Sequence, residues 1–600
     1  MWLLGIAVVT VLIVLHLTAI PATIWEYDES LFAQGVEQYD PLAHHPPPPG
    51  YPLYMAVAKA VAAVAGDPFH ALLAVSIAGL ILGFGFLVVA VRGVTGDLLT
   101  GIVAAFFFYV SPAMLIHGTL PQSDTGALAL LGLSMWMCAR AVRDDGTYRP
   151  NRTNGILLMA VACAATVGWR LQFAIAIVPL FLVSVLLLRG WRARFIAVQT
   201  FAIACLLWFV PLVVTTGGPR GFWKWLSGQA AYFAAHDADL SRSGQSMAFI
   251  TLRFVAHPWG PKWLSFVLLG LAALGAIVAI RRRKLMLLPV AVMTVVYLAF
   301  AILMMDPADA VRYALPSLPG IAIAAAIGLT FIRRSLRNLP LEWLPLAAWA
   351  AGSYIYSAPV LRQRVDTPSP PVAAIEHLRR TVPKNGVILI DLALRPHAEY
   401  LLRGFRTMRI DAGSVRYGLD TKTPLFIFAD GEAPGATTFR WESSDAYRKL
   451  TRNHFGAASV IAVKPEERFR AALGIYPPER TRDGKSWRWV AERGVLILPD
   501  VGATRVRLTF DVPPEYPYPD NRVHIERDGV RVATAKIPGS VEVDAATRLV
   551  LVPERSFVPA ELPNTLNRDR RRLSVMLTDV EQLKESAVAP MPKAASQQRP

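Results

Sequence analysis

Between Met1 and about Val360 the chain carries a succession of apolar runs, each close to twenty residues long. Runs of that length leave a chain few options. About twenty apolar residues in a helix cross the hydrocarbon core of a bilayer, and in lipid every backbone N–H and C=O must be satisfied within its own helix. The runs at 1–20, 69–91, 98–117, 122–142, 153–169, 171–189, 195–215, 263–280, 285–305, 313–332 and 342–360 therefore predict about eleven spans. Tyr51–Ala65 is apolar but short and reads as an interfacial helix. The composition agrees: 54% of the 600 residues are hydrophobic and only 18% are charged, where a soluble chain carries roughly a quarter. The first run has no basic n-region and no clear small-x-small cleavage site, so it is expected to stay as an anchor. Cys138, Cys163 and Cys205 all lie inside apolar runs and read as small hydrophobes, not as disulfide staples.

The basic residues orient the stack. The net charge is +17, but the cations are scattered or sit beside apolar runs, which fits topology signals and headgroup contacts better than a nucleic-acid stripe, so no nucleic-acid partner is expected. Arg140 to Arg152, Arg189 to Arg194, Arg281 to Lys284 and Arg333 to Arg337 mark one set of loops. These alternate with positively poor loops that hold Lys59, Arg170 and Arg312. The positive-inside rule makes the first set cytoplasmic and puts everything after Val360 outside.

Pro368, Pro370 and Pro371 mark a linker to the polar tail. Strand-like segments at 387–391, 425–429 and 459–463 alternate with helical ones at 395–403 and 444–455, which predicts a small α/β domain over 367–470. Short alternating strands over 487–585, with Asp528–Gly529 as a turn, predict a β-sandwich. Residues 587–600 read as a disordered end. The fold class is thus a polytopic α-helical membrane protein (1–362) followed by an α/β domain and a β-sandwich.

Candidate chemistry gathers in the positively poor loops. The first reads W-E-Y-D-E-S-L-F-A, with Asp28 and Glu29 just beyond the apolar run. A carboxylate at that depth is placed to act as a base near a lipid headgroup, and it equally suits a helix cap. The loop continues as H-H-P-P-P-P-G-Y-P-L-Y, whose prolines make a stiff segment around His44, His45 and Tyr51. Two adjacent histidines with no third ligand nearby make a poor metal site, so no metal or other cofactor is expected. The fourth run opens with P-Q-S-D-T-G, where Asp124 either faces a cavity or caps the helix. Arg170, in G-W-R-L-Q, and Arg312, in R-Y-A-L-P-S-L-P, run against the positive-inside bias. A guanidinium there suits a lipid phosphate or snorkels to ordinary headgroups. Trp223, Trp225, Trp259 and Trp263 fit an interfacial aromatic belt, or a sugar-stacking surface, in a loop that also holds His257 and Lys262.

The order of these motifs resembles the GT-C superfamily of membrane glycosyltransferases that use polyprenyl-phosphate sugars, in particular the protein O-mannosyltransferase and aminoarabinose transferase branch. The motifs are the acidic first loop, the H-H-P-P-P-P-G-Y-P-L-Y run, the S-D start of a span and R-Y-x-L-P. The resemblance covers about residues 1–360. Ser556 to Val575 also resembles the last strands of β-sandwich modules attached to bacterial glycosyltransferases, although Leu573–Ser574 departs from their Leu-Gly. The resemblance implies a bacterial cytoplasmic-membrane enzyme, a polyprenyl-phosphate-linked sugar as donor and an extracytoplasmic glycan, lipid or protein as acceptor. It makes Asp28, Glu29 and Asp124 the catalytic acids. Arg170 and Arg312, with Tyr313, His44, His45 and Tyr51, become contacts to substrate or lipid phosphate. The alternatives are a flippase for a lipid-linked glycan, a polysaccharide polymerase or ligase, and a non-catalytic assembly protein.

Overall fold

The computed structural model describes residues 2–145, 152–234, 245–336, 343–409, 423–431, 439–451, 456–463, 474–480, 486–498, 504–513, 516–546, 548–562, 569 and 571–583. The expected disordered end lies outside these residues. Two compact units form, residues 1–373 with 442–456, and 374–441 with 457–600.

The first unit is helical. In order its helices are Trp2–Leu17 (α1), Tyr27–Glu37 (α2), Pro52–Ala65 (α3), Pro68–Thr95 (α4), Leu98–Tyr109 (α5), Pro112–His117 (α6), Asp124–Asp145 (α7), Arg152–Trp169 (α8) and Ala174–Leu187 (α9). Trp191–Thr215 (α10), Gly218–Phe233 (α11), Met247–Val255 (α12), Lys262–Arg281 (α13), Leu288–Met304 (α14), Ala310–Tyr313 (α15), Leu318–Ser335 (α16) and Trp343–Asp366 (α17) complete the run. Among the described residues, six segments are long and apolar enough to cross a membrane: Pro68–Thr95, Asp124–Asp144, Trp191–Thr215, Lys262–Arg281, Leu285–Met304 and Ala310–Ser335. The chain is a multi-pass membrane protein.

The run at 98–117, expected as one helix, is two. Pro112 has no N–H to donate and biases its predecessor away from helix. Ser111 accordingly sits at φ −70°, ψ 153°, and its hydroxyl caps α6 by accepting from the Met114 N–H at 3.3 Å. Small residues set the helix spacing. A Cβ on Gly79 of α4 would lie 2.6 Å from the Gly126 nitrogen of α7, and one on Gly275 of α13 would lie 1.8 Å from the Ala324 carbonyl oxygen of α16. Such backbone-to-backbone approach is how helices associate in lipid, where no hydrophobic drive favours one apolar surface over another. Two of the cation-rich loops meet at one end of this bundle: Arg334 pairs with Asp97 at 3.0 Å, and the Lys284 ammonium reaches the Thr95 carbonyl at 3.0 Å. Of the tryptophans expected in an aromatic belt, Trp223 and Trp263 are exposed, but Trp259 is fully buried against Trp349.

A short helix, Asp445–Thr451, also belongs to this unit although it comes from the tail. It follows Pro370–Thr381 (α18) and Arg395–Leu401 (α19) and is named α20.

Among the described residues the second unit holds fourteen strands, β1 (Val387–Ile390) to β14 (Val575–Leu583). β2 (Arg406–Arg409), β3 (Leu425–Asp430), β4 (Phe439–Glu442) and β5 (Ala457–Ala462) join β1 in a sheet of order β2-β1-β3-β5-β4. β1 runs parallel to β2 and β3, and β5 antiparallel to β3. The remaining strands form two sheets. One holds β8 (Gly494–Ile497), β10 (Arg522–Arg527), β11 (Val530–Lys536) and β13 (Arg548–Pro553). The other holds β6 (Ile475–Arg480), β7 (Ser486–Val490), β9 (Arg505–Asp511), β12 (Gly539–Asp544) and β14. Alternate residues such as Val506, Leu508 and Phe510 of one sheet and Val523, Ile525, Leu549 and Leu551 of the other meet in a common core, the arrangement of a β-sandwich.

Candidate active site

Four charged side chains from distant parts of the chain meet at the end of the bundle where α7 begins. Glu26, in extended conformation, leads into α2 and puts Asp28 and Glu29 in its first turn, where the helix dipole favours negative charge. Asp124 opens α7, Arg170 follows α8 directly, and Arg312 stands in the single turn of α15. The order of contact alternates in sign. An Nη2 hydrogen of Arg312 donates to Asp28 Oδ2 at 3.2 Å, and its Nε donates to Asp124 Oδ2 at 3.3 Å. The other oxygen of Asp124 meets Arg170 Nη1 at 2.8 Å, and Nη1 also donates to the Ser123 hydroxyl at 3.0 Å.

Exposure grades along this series. The side chains of Arg170 and Asp124 are each 5% exposed, that of Arg312 is 13% and that of Asp28 is 29%. Asp124 spends both oxygens on guanidinium groups, so it anchors the series. Asp28 is the acid that both touches the series and reaches an accessible surface.

Glu29 takes the opposite side of α2. Neighbouring residues in a helix point about 100° apart, so the two acids cannot share a face. Glu29 is fully buried; its carboxyl accepts from the Trp25 N–H at 2.7 Å and lies 3.5 Å from the Gln122 amide nitrogen. Burial first, and then the Glu26 carboxylate, push its pKa up to about 8, so it carries a proton at neutral pH.

The proline-rich segment delivers Tyr51. This residue has φ 44°, a left-handed conformation that is costly for a bulky side chain and is held here by its surroundings. Its buried ring packs edge-on against Phe32 at 5.0 Å and faces the Arg170 guanidinium at 5.9 Å. His44 is exposed and donates its backbone N–H to the Pro41 carbonyl, whereas His45 is half-buried and exchanges backbone hydrogen bonds with Asp40. Tyr313 follows Arg312 and is half-buried. Among the described residues no three His, Cys, Asp or Glu side chains gather as a metal-holding group.

Several supporting residues escaped the sequence reading. Trp169, beside Arg170, donates its indole N–H to the Ser123 carbonyl at 3.0 Å and so clamps the entry to α7. Arg364, fully buried near the end of α17, donates to the Ile116 carbonyl, meets the Tyr447 hydroxyl at 3.3 Å and reaches Glu26 at 3.5 Å. Arg253 shares its loop with Arg220, Lys224 and Lys262, and Arg364 stands two residues after Arg362, so the charge bias that singled out Arg170 and Arg312 does not mark them.

No protein-family model matches the chain, nor does any curated protein. Solved structures do align with it. ArnT from Cupriavidus metallidurans bound to undecaprenyl phosphate is 12% identical, with a TM-score of 0.49, over 76% of this chain and 97% of that one. The archaeal oligosaccharyltransferase AglB from Archaeoglobus fulgidus, in complex with an inhibitory peptide and a dolichol-phosphate, is 12% identical at TM-score 0.41, covering 72% of this chain and 70% of its own. The arabinofuranosyltransferase AftD from Mycobacteria is 10% identical at TM-score 0.44, over 96% of this chain and 58% of AftD.

Proposed function

We propose that the protein is a GT-C-type glycosyltransferase that moves a sugar from a polyprenyl-phosphate donor to an acceptor on the non-cytoplasmic side, with Asp28 as the base. The observation that carries this reading is the bridge made by Arg312, which joins a partly exposed carboxylate to a buried one at the mouth of a helical bundle. The orientation follows from charge: Asp97, Arg334 and Lys284 lie at the far end of the bundle, and the positive-inside rule makes that end cytoplasmic.

The chemistry needs one base. Asp28 takes the proton from an acceptor hydroxyl. The acceptor oxygen bonds to the anomeric carbon from the face opposite the phosphate, and the carbon–oxygen bond to phosphate breaks, so the phosphate leaves with the electron pair and the centre inverts. Phosphate is a weak base and departs without a general acid, unlike the leaving group of a glycosidase, which needs a second carboxyl group. Arg312 steadies the negative charge that grows on the phosphate and, through its bond at 3.2 Å, orients Asp28.

The test is transfer from a panel of radiolabelled polyprenyl-phosphate sugars by the purified full chain in nanodiscs. Asp28→Asn keeps the size of the side chain and a bond to Arg312 but removes the base. Loss of a general base costs about 10²–10⁴ in rate, so transfer by this variant is expected to fall by that factor while its melting temperature stays near that of the parent. Unchanged transfer removes Asp28 from the reaction.

A further inference from the structure

Span α10 carries its 25 residues about 37 Å along the helix axis. That is farther than the ~30 Å hydrocarbon core of a bilayer, so its last turn stands in the headgroup layer. Thr216 closes the helix, its hydroxyl donating to the Leu212 carbonyl at 3.0 Å, and Gly217 and Gly218 follow at φ 85° and 80°. Two successive left-handed residues turn the chain off the helix axis, in a conformation that glycine takes without steric penalty. α11 therefore starts at the depth of the headgroups. Its two faces are distinct. Phe222, Trp225, Leu226 and Gln229, at i, i+3, i+4 and i+7, turn to the protein and are buried or half-buried. Phe222 meets Phe209 of α10 edge-on at 5.2 Å, and a Cβ on Gly50 would lie 3.5 Å from Cη2 of Trp225. The inner face thus seats the turn before Tyr51, at the end of the bundle that holds the charged series. Arg220, Trp223, Lys224 and Ser227 repeat the same spacing on the outer face and are all exposed, Trp223 to 70%. α11 contains no acidic residue, and neither cation makes an ion pair among the described residues.

We infer that the outer face of α11 is a docking surface for anionic phospholipid headgroups. A tryptophan turned outward between two cations, with no carboxylate to neutralise them, has the composition of a helix that lies in the membrane surface. The ring sits where acyl chains meet headgroups, and the cations reach the phosphate layer. Charge decides among lipids. A zwitterionic headgroup compensates its phosphate with an ammonium, whereas an anionic one leaves a net negative charge that an exposed Lys or Arg senses within a Debye length. The docking surface lies outside the charged series, and the inference goes beyond the glycosyltransferase reading without depending on it.

The experiment reads α11 itself. A nitroxide on Ser227→Cys of the full chain reports its depth through relaxation by oxygen and by a water-soluble nickel chelate. The parent, treated alike, supplies the background from Cys138, Cys163 and Cys205. Nanodiscs of phosphatidylcholine alone are compared with discs of rising phosphatidylglycerol content. The label is expected at headgroup depth, sinking deeper and moving more slowly as phosphatidylglycerol rises. One cation beside an anionic surface is worth about fivefold in association. Arg220→Gln with Lys224→Gln should therefore abolish the response to phosphatidylglycerol, and Arg220→Lys with Lys224→Arg should keep it. Both side chains are exposed, so these substitutions spare the packing, and an unchanged melting temperature checks this. A label in bulk water in both lipids, as expected of a face that meets solvent or a soluble partner, overturns the docking. So does a response that survives the loss of both cations. The measurement involves no sugar transfer, so the result for Asp28→Asn leaves its outcome untouched.

Discussion

Asp28 and Glu29 are neighbours in the chain, and the fold gives them opposite chemistry. One is 29% exposed and bonded to a guanidinium, whereas the other is fully buried against a backbone amide. The sequence places both acids in one outer loop and offers no reason to separate them, because the difference lies in which side of a short helix meets the bundle. The consequence for Glu29 is measurable. Its carboxyl has an ordinary pKa of 4.5 and is raised to about 8 in the folded chain, by burial first and then by Glu26. Between those values the folded protein holds a proton that the unfolded chain releases, so stability falls as pH rises from about 4.5 to 8 and levels off beyond. Glu29→Gln mimics the protonated acid and keeps an oxygen for the Trp25 N–H. Thermal unfolding of this variant in nanodiscs should be flatter across that window than that of the parent, and its melting temperature at pH 7.5 should be higher by a few degrees. An identical slope would show that Glu29 does not titrate there.

Helix positions follow from apolar run length, but the breaks and close approaches within them follow from single residues. Pro112 splits the third run into α5 and α6, and the residue before it turns extended as the ring requires. Gly126 shows the same dependence one helix further on. A Cβ at this position would lie 2.3 Å from Cζ2 of Trp169, the ring that clamps Ser123 and stands beside Arg170. Trp169 is itself backed by Tyr54 at 5.5 Å and has little room to retreat. Overpacking a tight contact costs about 1–3 kcal/mol. Gly126→Ala is expected to lower the melting temperature by several degrees and to reduce transfer, because the clamp displaces Arg170 and through it Asp124. Gly85 in the adjacent α4 is the control: a Cβ there meets nothing within 4 Å, so Gly85→Ala should leave both quantities unchanged or raise stability slightly. Equal effects of the two substitutions would count against the clamp.

At the scale of the whole molecule, the tail is not simply appended to the membrane unit. The stretch read as the second helix of an α/β domain, 444–455, contributes α20 to the first unit. Its Tyr447 is fully buried, packs against Trp25 with the ring centroids 4.9 Å apart and meets Arg364, so it braces the entry to α2 and hence Asp28. Tyr447→Ala should lower transfer severalfold and destabilise the first unit by about 3–5 kcal/mol, the usual cost of removing a buried aromatic ring. Tyr447→Phe keeps the ring and should recover most of both. Full activity in Tyr447→Ala would mean that α20 braces nothing the reaction uses. The sequence by itself determined that the first part of the chain is built of apolar helices, among them a short one over 52–65, that the tail is polar and carries strands, and which charges to watch, Asp28, Asp124, Arg170 and Arg312. Run length, alternation and charge bias are local properties that survive without a fold. Only the tertiary structure decided that these four charges form one series in alternating order and that Glu29 turns away from it. Those outcomes depend on which helix faces oppose one another, and that is settled by packing between residues far apart in sequence.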